Sequence, residues 1–358
     1  MRSITITRED VLLLKGKAYA LCTGDIHALG VDMDGRYISI RHGKIIPLES
    51  DSSATIFIYE GEYSIRGKGE RIGTSIWREV TRVFECMHNR PYKVMLIGGT
   101  DSGKSTLSVY IANLALARGM KVSIIDGDIG QGDLAPPACM GSSMIRGYVL
   151  DLRDLIGEEY YFIGRLSPMG IEDHMVTGLK YLTEHAKGDI CIINTDGYVD
   201  GYGLTYKSEM VDTIKPDVVI TFDNYDISSI RNTDTITLPS ADVYKSRTDR
   251  VARRLEQYRR FLHDGKIISF LLKSKRYEFL GKRVYFRVDD AVSRDVLKGM
   301  FVALSICDSI VGFGLVSSVD GSTVNMVSNY EGEFDKVILS NVGLDDRISV
   351  EYNIQLPW

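Results

Sequence analysis

The residues with the strongest chemical signature lie between Gly98 and Thr106, in the sequence GGTDSGKST. They match the phosphate-loop pattern G-x-x-x-x-G-K-[ST] at every fixed position. An apolar run typical of a buried strand precedes them at residues 93–97, and a segment with helical periodicity follows at residues 107–118. In such a loop, glycines let backbone N–H groups surround a polyphosphate, and the helix N-terminus adds a positive dipole. The segment therefore predicts a binding site for a nucleoside triphosphate.

Within this loop, two side chains have expected roles. Lys104 is placed to reach the β- and γ-phosphates, and the Ser105 hydroxyl is placed to bind Mg²⁺ or another divalent cation. The predicted nucleotide-binding residues are those of the whole loop: Gly98, Gly99, Thr100, Asp101, Ser102, Gly103, Lys104, Ser105 and Thr106.

A second group of polar residues follows the next predicted strand, residues 121–125, in the sequence DGDIGQGD. Because side chains alternate along a strand, we expect Asp126 and Asp128 to point to the same side at its carboxyl end. Open α/β sheets bind their ligands at that end. The two carboxylates could hold Mg²⁺ or accept a proton from an attacking hydroxyl. Gln131 could orient a water or a hydroxyl, although a surface glutamine is an equal alternative.

A third segment, residues 194–203 (NTDGYVDGYG), follows the apolar run at residues 190–193. It should therefore lie at the same edge of the sheet. Thr195 and Gly197 suit a loop that lies close to a ligand, and the Tyr198 ring can stack on a base. An ordinary connecting loop is the alternative interpretation.

A basic run occupies residues 245–260 (KSRTDRVARRLEQYRR). On a helix, Arg247, Arg250 and Arg254 would share one face. Arginines on one face can hold a triphosphate, offset charge on a transferring phosphoryl group or contact a nucleic-acid backbone. A solvated helix face is the alternative.

The pattern along the chain predicts an α/β fold with three parts. Residues 1–70 show short alternating segments typical of β-strands, and residues 72–88 show helical periodicity. Residues 71–264 alternate strands and helices, which predicts a central P-loop domain with a mostly parallel sheet covered on both faces. Residues 265–358 are again β-rich, with expected strands at residues 266–272, 283–288, 309–316 and 336–339.

Composition limits the classes of protein that fit. The net charge is −5, so a nucleic-acid site must be a local basic patch and not a global field. The five cysteines form no C-x-x-C pair, which argues against a zinc ribbon or a disulfide framework. We find no apolar run long enough to span a membrane and no signal-peptide pattern, and we expect a cytoplasmic protein without a membrane partner.

Taken together, these segments resemble the polynucleotide 5′-hydroxyl kinase family, which includes the kinase subunit of the messenger-RNA cleavage factor, ribosomal-RNA-processing kinases and archaeal homologues. The motifs that carry the resemblance are GGTDSGKST, DGDIGQ, and the turn GRLSP at residues 164–168, followed by a clasp segment and an arginine-bearing lid. Their order and spacing agree over roughly residues 90–262.

The resemblance implies a role for each matching residue. Asp128 would activate the 5′-hydroxyl, Asp126 would support the metal, and the clasp residues Thr195 and Tyr198 would fix the RNA 5′ end. Lid arginines would come from Arg247, Arg250 and Arg254, without a choice among them. The chain departs from the family at the clasp, T-x-G-W, because tyrosine stands at position 198 where the family has tryptophan. Tyrosine still stacks, with a smaller ring face.

The sequence thus predicts an ATP-dependent kinase that phosphorylates the 5′-hydroxyl end of RNA, with DNA as a second candidate acceptor and with protein partners that the sequence does not identify. A regulatory ATPase of the deviant phosphate-loop group would carry a lysine early in the loop, and a GTPase would carry N-K-x-D; neither feature is present. A P-loop ATPase or a subunit that holds ATP as a scaffold in an RNA-processing complex needs the same loop, and this alternative stays open.

Overall fold

The computed structural model describes residues 1–356 apart from 68–69, 71, 86, 88–90, 223–232, 241–245 and 287–294. The chain divides into two compact units. Unit 1 consists of Met1–Ile125, Ser143–Ile156 and His185–Asp249, and unit 2 consists of Asp126–Ser142, Gly157–Glu184 and Arg250–Trp358. The three-part division expected from the sequence stays a prediction.

Unit 1 begins with an antiparallel sheet. Its strands are β1 (Arg2–Thr7), β2 (Asp10–Gly24), β3 (His27–Ala28), β4 (Val31–Asp32), β5 (Tyr37–Ile40), β6 (Ile45–Glu49) and β7 (Ser53–Gly67). They follow the order β1-β7-β2-β6-β3-β4, with β5 paired to β2. Every second residue at the end of β2, namely Ala18, Ala20 and Cys22, is buried, as expected for a sheet with one covered face. The β-rich character predicted for this region is confirmed.

Strands and helices alternate over much of residues 92–261, as predicted, but three strands lie between residues 122 and 162 with no α-helix among them. The strands are β8 (Tyr92–Ile97), β9 (Val122–Asp126), β10 (Cys139–Ile145), β11 (Glu159–Phe162), β12 (Ile190–Asn194), β13 (Val218–Phe222) and β14 (Asp234–Leu238), and the helices are α1 (Lys104–Ala117), α2 (Glu172–His185), α3 (Gly203–Ile214) and α4 (Arg247–Phe261). In unit 1 the order is β9-β12-β8-β13-β14, and the pairs β12–β8, β8–β13 and β13–β14 are parallel. The carboxyl ends of β8 and β12 therefore lie at one edge of this sheet.

Two buried polar groups tie α1 and the N-terminal sheet to neighbouring loops of unit 1. The Asn113 amide donates to the carbonyls of Leu29 (2.9 Å) and Val149 (2.8 Å). Arg153 donates to both Asp151 carboxylate oxygens, at 2.8–3.3 Å, and to the His42 carbonyl at 3.1 Å. Each group is buried and paired, which is the condition under which polar burial is tolerated.

Unit 2 contains the β10–β11 pair, which is antiparallel, and a larger C-terminal sheet. The remaining strands are β15 (Lys266–Leu271), β16 (Arg276–Phe279), β17 (Lys282–Val284), β18 (Phe301–Ile306), β19 (Ser309–Asp320), β20 (Thr323–Ser328), β21 (Lys336–Ile338), β22 (Val342–Leu344) and β23 (Glu351–Asn353). The sheet order is β15-β20-β19-β18-β21-β16-β17, and β22 and β23 form a separate two-stranded sheet.

Helix α4 is fixed to unit 2 by its apolar face. Leu255, Tyr258 and Phe261 are buried in one core cluster with Phe301 and Phe313. The Tyr258 and Phe301 ring centroids are 4.9 Å apart, and those of Phe261 and Phe313 are 5.7 Å apart. Since burial of one such side chain contributes about 1.5–3 kcal/mol, this face helps to anchor the basic helix.

Two predicted elements differ from the structure. The predicted helix at residues 72–88 is a 3₁₀ helix, Thr74–Phe84, interrupted at Trp77; residues 86 and 88 lie outside the described part. Its buried residues Trp77, Val80 and Val83 are three positions apart, which matches three residues per turn. The predicted strand at residues 283–288 is β17, which ends at Val284; residues 287–288 are likewise outside the described part. Two further 3₁₀ turns are Leu152–Asp154 and Leu272–Ser274.

Among the helices that the structure describes, none combines the length and the apolar character needed to cross a lipid bilayer.

Candidate active site

The phosphate loop lies between β8 and α1 in unit 1. Asp101 and Gly103 have positive φ angles, 63° and 104°, so the chain turns sharply before the helix begins at Lys104. A Cβ at Gly98 would lie 2.8 Å from Ser102 Oγ and 2.9 Å from the Phe222 ring. Only glycine fits at position 98, which agrees with the glycine required at the start of the motif.

Two polar groups of the loop are buried. Lys104 Nζ donates to the carbonyl oxygens of Gly98 and Gly99, both at 2.7 Å. Ser102 Oγ is buried without a hydrogen-bond partner among the described residues. A buried ammonium and a buried unsatisfied hydroxyl are costly in an apolar setting. Phosphate oxygens would supply acceptors to both, so the loop fits the predicted polyphosphate.

The Ser105 hydroxyl has an oxygen available for a hard cation. Asn194, the buried last residue of β12, donates from Nδ2 to Ser105 Oγ at 3.3 Å. With this contact, the Ser105 hydroxyl oxygen can still act as a neutral ligand, and Mg²⁺ binds such oxygens. Ser105 therefore fits the expected metal. Sequence reasoning did not single out Asn194 as a site residue; its only signal was a polar residue directly after an apolar strand.

The segment after β12 lies directly against the phosphate loop. A Cβ at Gly197 would be 2.4 Å from Thr100 Oγ1 and 2.7 Å from Thr100 N, so the two loops touch at this glycine. Thr195 is fully buried and donates to the Leu96 carbonyl at 2.8 Å. The threonine hydroxyl thus fixes this segment to β8, and its expected contact with a substrate stays a prediction. Tyr198 is half-buried, with its ring centroid 6.1 Å from that of Tyr206.

Asp196, which precedes the clasp glycine, organises the segment. Its carboxylate accepts from Tyr198 N at 2.8 Å and from the Tyr206 hydroxyl at 2.9 Å. Lys207 Nζ lies 2.9 Å from Asp196 Oδ2, and both side chains are buried. This buried network holds the backbone of the clasp, so we assign Asp196 a positioning role.

The acidic loop, residues 126–133, belongs to unit 2. Its structure corrects the expectation that Asp126 and Asp128 are two positions apart on one strand. Strand β9 ends at Asp126, so Asp128 lies in the turn after it and period two does not apply. Asp126 is buried, and its carboxylate accepts from Asp133 N at 2.6 Å and Asp128 N at 3.3 Å. Asp128 is half-buried and accepts from the backbone N–H groups of Gly130 (3.0 Å) and Gln131 (2.9 Å). Backbone donors thus set the position of both carboxylates.

Helix α4 is bonded to this acidic loop. Arg253 forms a buried ion pair with Asp133. Gln257 Nε2 donates to the carbonyls of Gly132 (3.1 Å) and Asp133 (3.0 Å), and Arg260 donates to the Asp133 carbonyl at 2.9 Å. The basic run is therefore partly structural, and neither Gln257 nor the Arg253–Asp133 pair was recognised from the sequence as part of the site.

The three predicted lid arginines have different environments. Arg247, the first residue of α4, is exposed, and the backbone carbonyl of Arg250 accepts from Gln131 Nε2 at 3.3 Å. Arg254 binds the Glu351 carboxylate through Nε and Nη2 at 2.7–3.0 Å. Burial acts to lower the pKa of Arg254, but the hydrogen bonds and charge of Glu351 outweigh it and raise that pKa.

The predicted residues thus fall into two groups, each described within its own unit. Unit 1 holds the phosphate loop with Ser105, and also Thr195, Gly197, Tyr198 and Arg247. Unit 2 holds Asp126, Asp128, Gln131, Arg250 and Arg254.

The parallel strands and the phosphate loop at the start of α1 define a P-loop nucleoside-triphosphate-binding fold. Residues 98–264 match the family model described as mRNA cleavage and polyadenylation factor CLP1 P-loop. This match and the relatives of the chain confirm the resemblance to polynucleotide 5′-hydroxyl kinases.

Similar proteins agree with this assignment. A polyribonucleotide 5′-hydroxyl-kinase of Pyrococcus horikoshii is 35% identical over 189 residues, covering 51% of this chain and 52% of that protein. The polynucleotide 5′-hydroxyl-kinase GRC3 of Debaryomyces hansenii is 30% identical over 298 residues, covering 76% of this chain and 40% of that protein. The chain therefore spans about half the length, or less, of the curated relatives it matches.

A solved structure shares the fold over nearly the whole chain. The structure of the wild-type Clp1p–Pcf11p complex matches with a TM-score of 0.74 at 11% identity, covering 96% of this chain and 97% of that one. At 11% identity, this similarity supports a shared fold and nothing further.

Proposed function

We propose that this protein is an ATP-dependent kinase that transfers the γ-phosphate of ATP to the 5′-hydroxyl end of RNA, with DNA as a second acceptor to be tested. The observation that carries the proposal is the phosphate loop, in which the buried Lys104 ammonium is held by the carbonyls of Gly98 and Gly99 and the buried Ser102 hydroxyl has no hydrogen-bond partner among the described residues. The names of the relatives supply the reaction class.

The proposed reaction is an in-line phosphoryl transfer. The loop amides and Lys104 would hold the β- and γ-phosphates, while Ser105 and Asp126 would hold Mg²⁺. When bound, the cation would neutralise charge on the phosphates. Asp128 would take the proton of the 5′-hydroxyl as its oxygen forms a bond to the γ-phosphorus, and the bond from that phosphorus to the departing ADP oxygen breaks. The clasp, with Tyr198, would hold the terminal nucleotide.

An arginine of α4 would offset charge on the transferring phosphoryl group, an effect worth roughly 10³–10⁵ in rate. The half-buried surroundings of Asp128, with two backbone donors on its carboxylate, keep this side chain in one orientation for proton transfer.

One observation favours a second function, an ATPase or an ATP-holding scaffold subunit. Arg254 is bound by Glu351 in a bidentate ion pair, so this arginine would have to leave its partner before it could reach a phosphoryl group. A protein that holds ATP without turnover needs no such release. Either function would allow the protein to act together with protein partners. We also propose that the protein works in the cytoplasm.

The discriminating experiment is transfer of labelled γ-phosphate to a short 5′-hydroxyl RNA, beside matched DNA and a reaction without acceptor. We expect labelled RNA with the wild-type protein and none with Lys104→Ala. Release of free phosphate without labelled RNA would support an ATPase, and tight ATP binding with neither product would support a scaffold.

A further inference from the structure

A cleft in unit 2 carries polar side chains to which the proposed reaction gives no role. Its volume is about 460 Å³, within the range of small-ligand sites. The polar residues lining it are Arg165, Ser167, Asn341, Glu351, Tyr352 and Asn353. They come from the GRLSP turn after β11 and from the β22–β23 pair of the C-terminal region.

The turn is held rigidly against the C-terminal region. Asn341 N donates to the Gly164 carbonyl at 2.9 Å. Gly164 has a φ of 77°, and a Cβ there would lie 2.5 Å from the Leu339 carbonyl oxygen. Glycine is therefore required where the two segments meet, and the walls of the cleft are preformed.

The charges in the cleft favour an anion. Arg165 Nε is buried and has no hydrogen-bond acceptor in the part of the chain that the structure describes. The one carboxylate among the lining residues, Glu351, is already neutralised by Arg254 through two guanidinium nitrogens at 2.7–3.0 Å. Among the described residues, Arg165 thus has no counter-ion, and it lies beside the side-chain amides of Asn341 and Asn353, which can donate hydrogen bonds.

The cleft adjoins the loop that carries the proposed base. A Cβ at Gly130 would lie 3.0 Å from the Leu166 carbonyl oxygen, and Gly130 N donates to Asp128 Oδ1 at 3.0 Å. The charge of Asp128 also acts on Arg254, which borders the cleft through Glu351. An anion bound here would therefore lie next to the site of proton transfer.

We propose that this cleft binds a backbone phosphodiester of the polynucleotide close to its 5′ end, with Arg165 as the residue that contacts the phosphate. The inference rests on the proposed function and extends it, because it gives the C-terminal region a part in substrate binding. A phosphate subsite at this place would make the protein select a polynucleotide over a nucleoside. Arg165 acts in binding, so its loss changes the KM for the acceptor and leaves kcat and the KM for ATP nearly unchanged.

The test uses the full chain and two 5′-hydroxyl RNA oligonucleotides. One has ordinary phosphodiesters, and the other has uncharged methylphosphonates at its first two linkages. With the ordinary oligonucleotide, Arg165→Gln should raise the KM about tenfold, because a charged hydrogen bond is lost, and Arg165→Lys should give a smaller rise. With the uncharged oligonucleotide, the wild type and Arg165→Gln should have equal KM values. Arg283→Gln is the control, since Arg283 is exposed on β17, outside the cleft and the proposed machinery.

Two results would overturn the proposal: an acceptor KM for Arg165→Gln that equals that of Arg283→Gln, or the same loss with the uncharged oligonucleotide. Failure of the proposed function looks different, because the wild type would then phosphorylate neither oligonucleotide. In that case we would measure binding of a labelled 5′-hydroxyl RNA by fluorescence anisotropy. Weaker binding by Arg165→Gln than by the wild type supports the proposed phosphate site, and equal binding refutes it. Thermal unfolding of each variant shows that the fold is intact.

Discussion

The contact between Gly197 and Thr100 allows a sharp prediction for Gly197→Ala. The new methyl carbon would lie 2.4 Å from Thr100 Oγ1 and 2.7 Å from Thr100 N, whereas ordinary van der Waals contact begins at 3.4 Å. Rotating the threonine side chain relieves the first clash but not the second, because the nitrogen belongs to the backbone. The phosphate loop must therefore move by several tenths of an ångström.

A displacement of this size should reduce phosphoryl transfer by about 10- to 100-fold, since a misplacement of about 1 Å can cost 10² in rate. The strain should also destabilise the fold by about 1–3 kcal/mol. We would measure ATP affinity by calorimetry, transfer by label incorporation and stability by denaturant unfolding.

The control is Gly147→Ala, because a Cβ at Gly147 meets no atom within 4 Å and that glycine does not have a positive φ. The reasoning is refuted if Gly197→Ala binds ATP and transfers phosphate within twofold of Gly147→Ala.

Three further predictions concern the carboxylates and their partners. Asp128→Asn should slow transfer far more than it weakens ATP binding, and equal losses in calorimetry and label transfer would argue against a base. Arg253→Met should destabilise the protein by about 3–5 kcal/mol in urea unfolding, because the buried Asp133 carboxylate loses its ion pair with Arg253; a loss below about 1 kcal/mol would contradict this. Asp151 is buried, which acts to raise its pKa, but its two basic partners lower that pKa on balance. Its stabilising effect should therefore be complete above about pH 4 and decline as the pH falls further, and Asp151→Asn should flatten the acid limb of the stability curve.

The sequence predicted the nucleotide-binding part of the fold well because that part depends on local chemistry. The phosphate loop needs fixed residues in a strand–loop–helix context, and β8, the loop and α1 lie where the motif requires them. The segment with helical periodicity at residues 107–118 lies largely within α1, and Gly119 just after it has a φ of 74°. The apolar run at residues 190–193 likewise predicted β12 to within one residue.

The contacts that position the site could not be predicted, because they join residues far apart in the chain. Nothing in the local pattern shows that Gln257 bonds the acidic loop or that Arg254 is held by Glu351. The role of Arg165 could not be predicted for the same reason. The cleft that it lines is formed partly by residues of the β22–β23 region, which are far from Arg165 in the sequence. The sequence prediction did not include strand β18, although its largely apolar run FVALSI is buried in the same way as β12.

The charge run of α4 contains arginines with different partners. Arg247, Arg250 and Arg254 were predicted to share one face toward a phosphate, and in the structure the half-buried Arg254 pairs with Glu351. Arg253, which is outside that predicted face, is buried against Asp133. Arginine supports both phosphate binding and buried ion pairs because its planar group bonds any oxyanion in the same geometry. Only the tertiary position of the partner carboxylates separates the two uses.

The central claim is most directly tested by incubating the protein with γ-labelled ATP, Mg²⁺ and a 5′-hydroxyl RNA, and then locating the label. The account predicts label on the RNA 5′ end that disappears with Lys104→Ala, while Arg283→Gln retains wild-type transfer. Labelled RNA at the same rate with Lys104→Ala, or no labelled RNA from a wild-type protein that binds ATP, would contradict it.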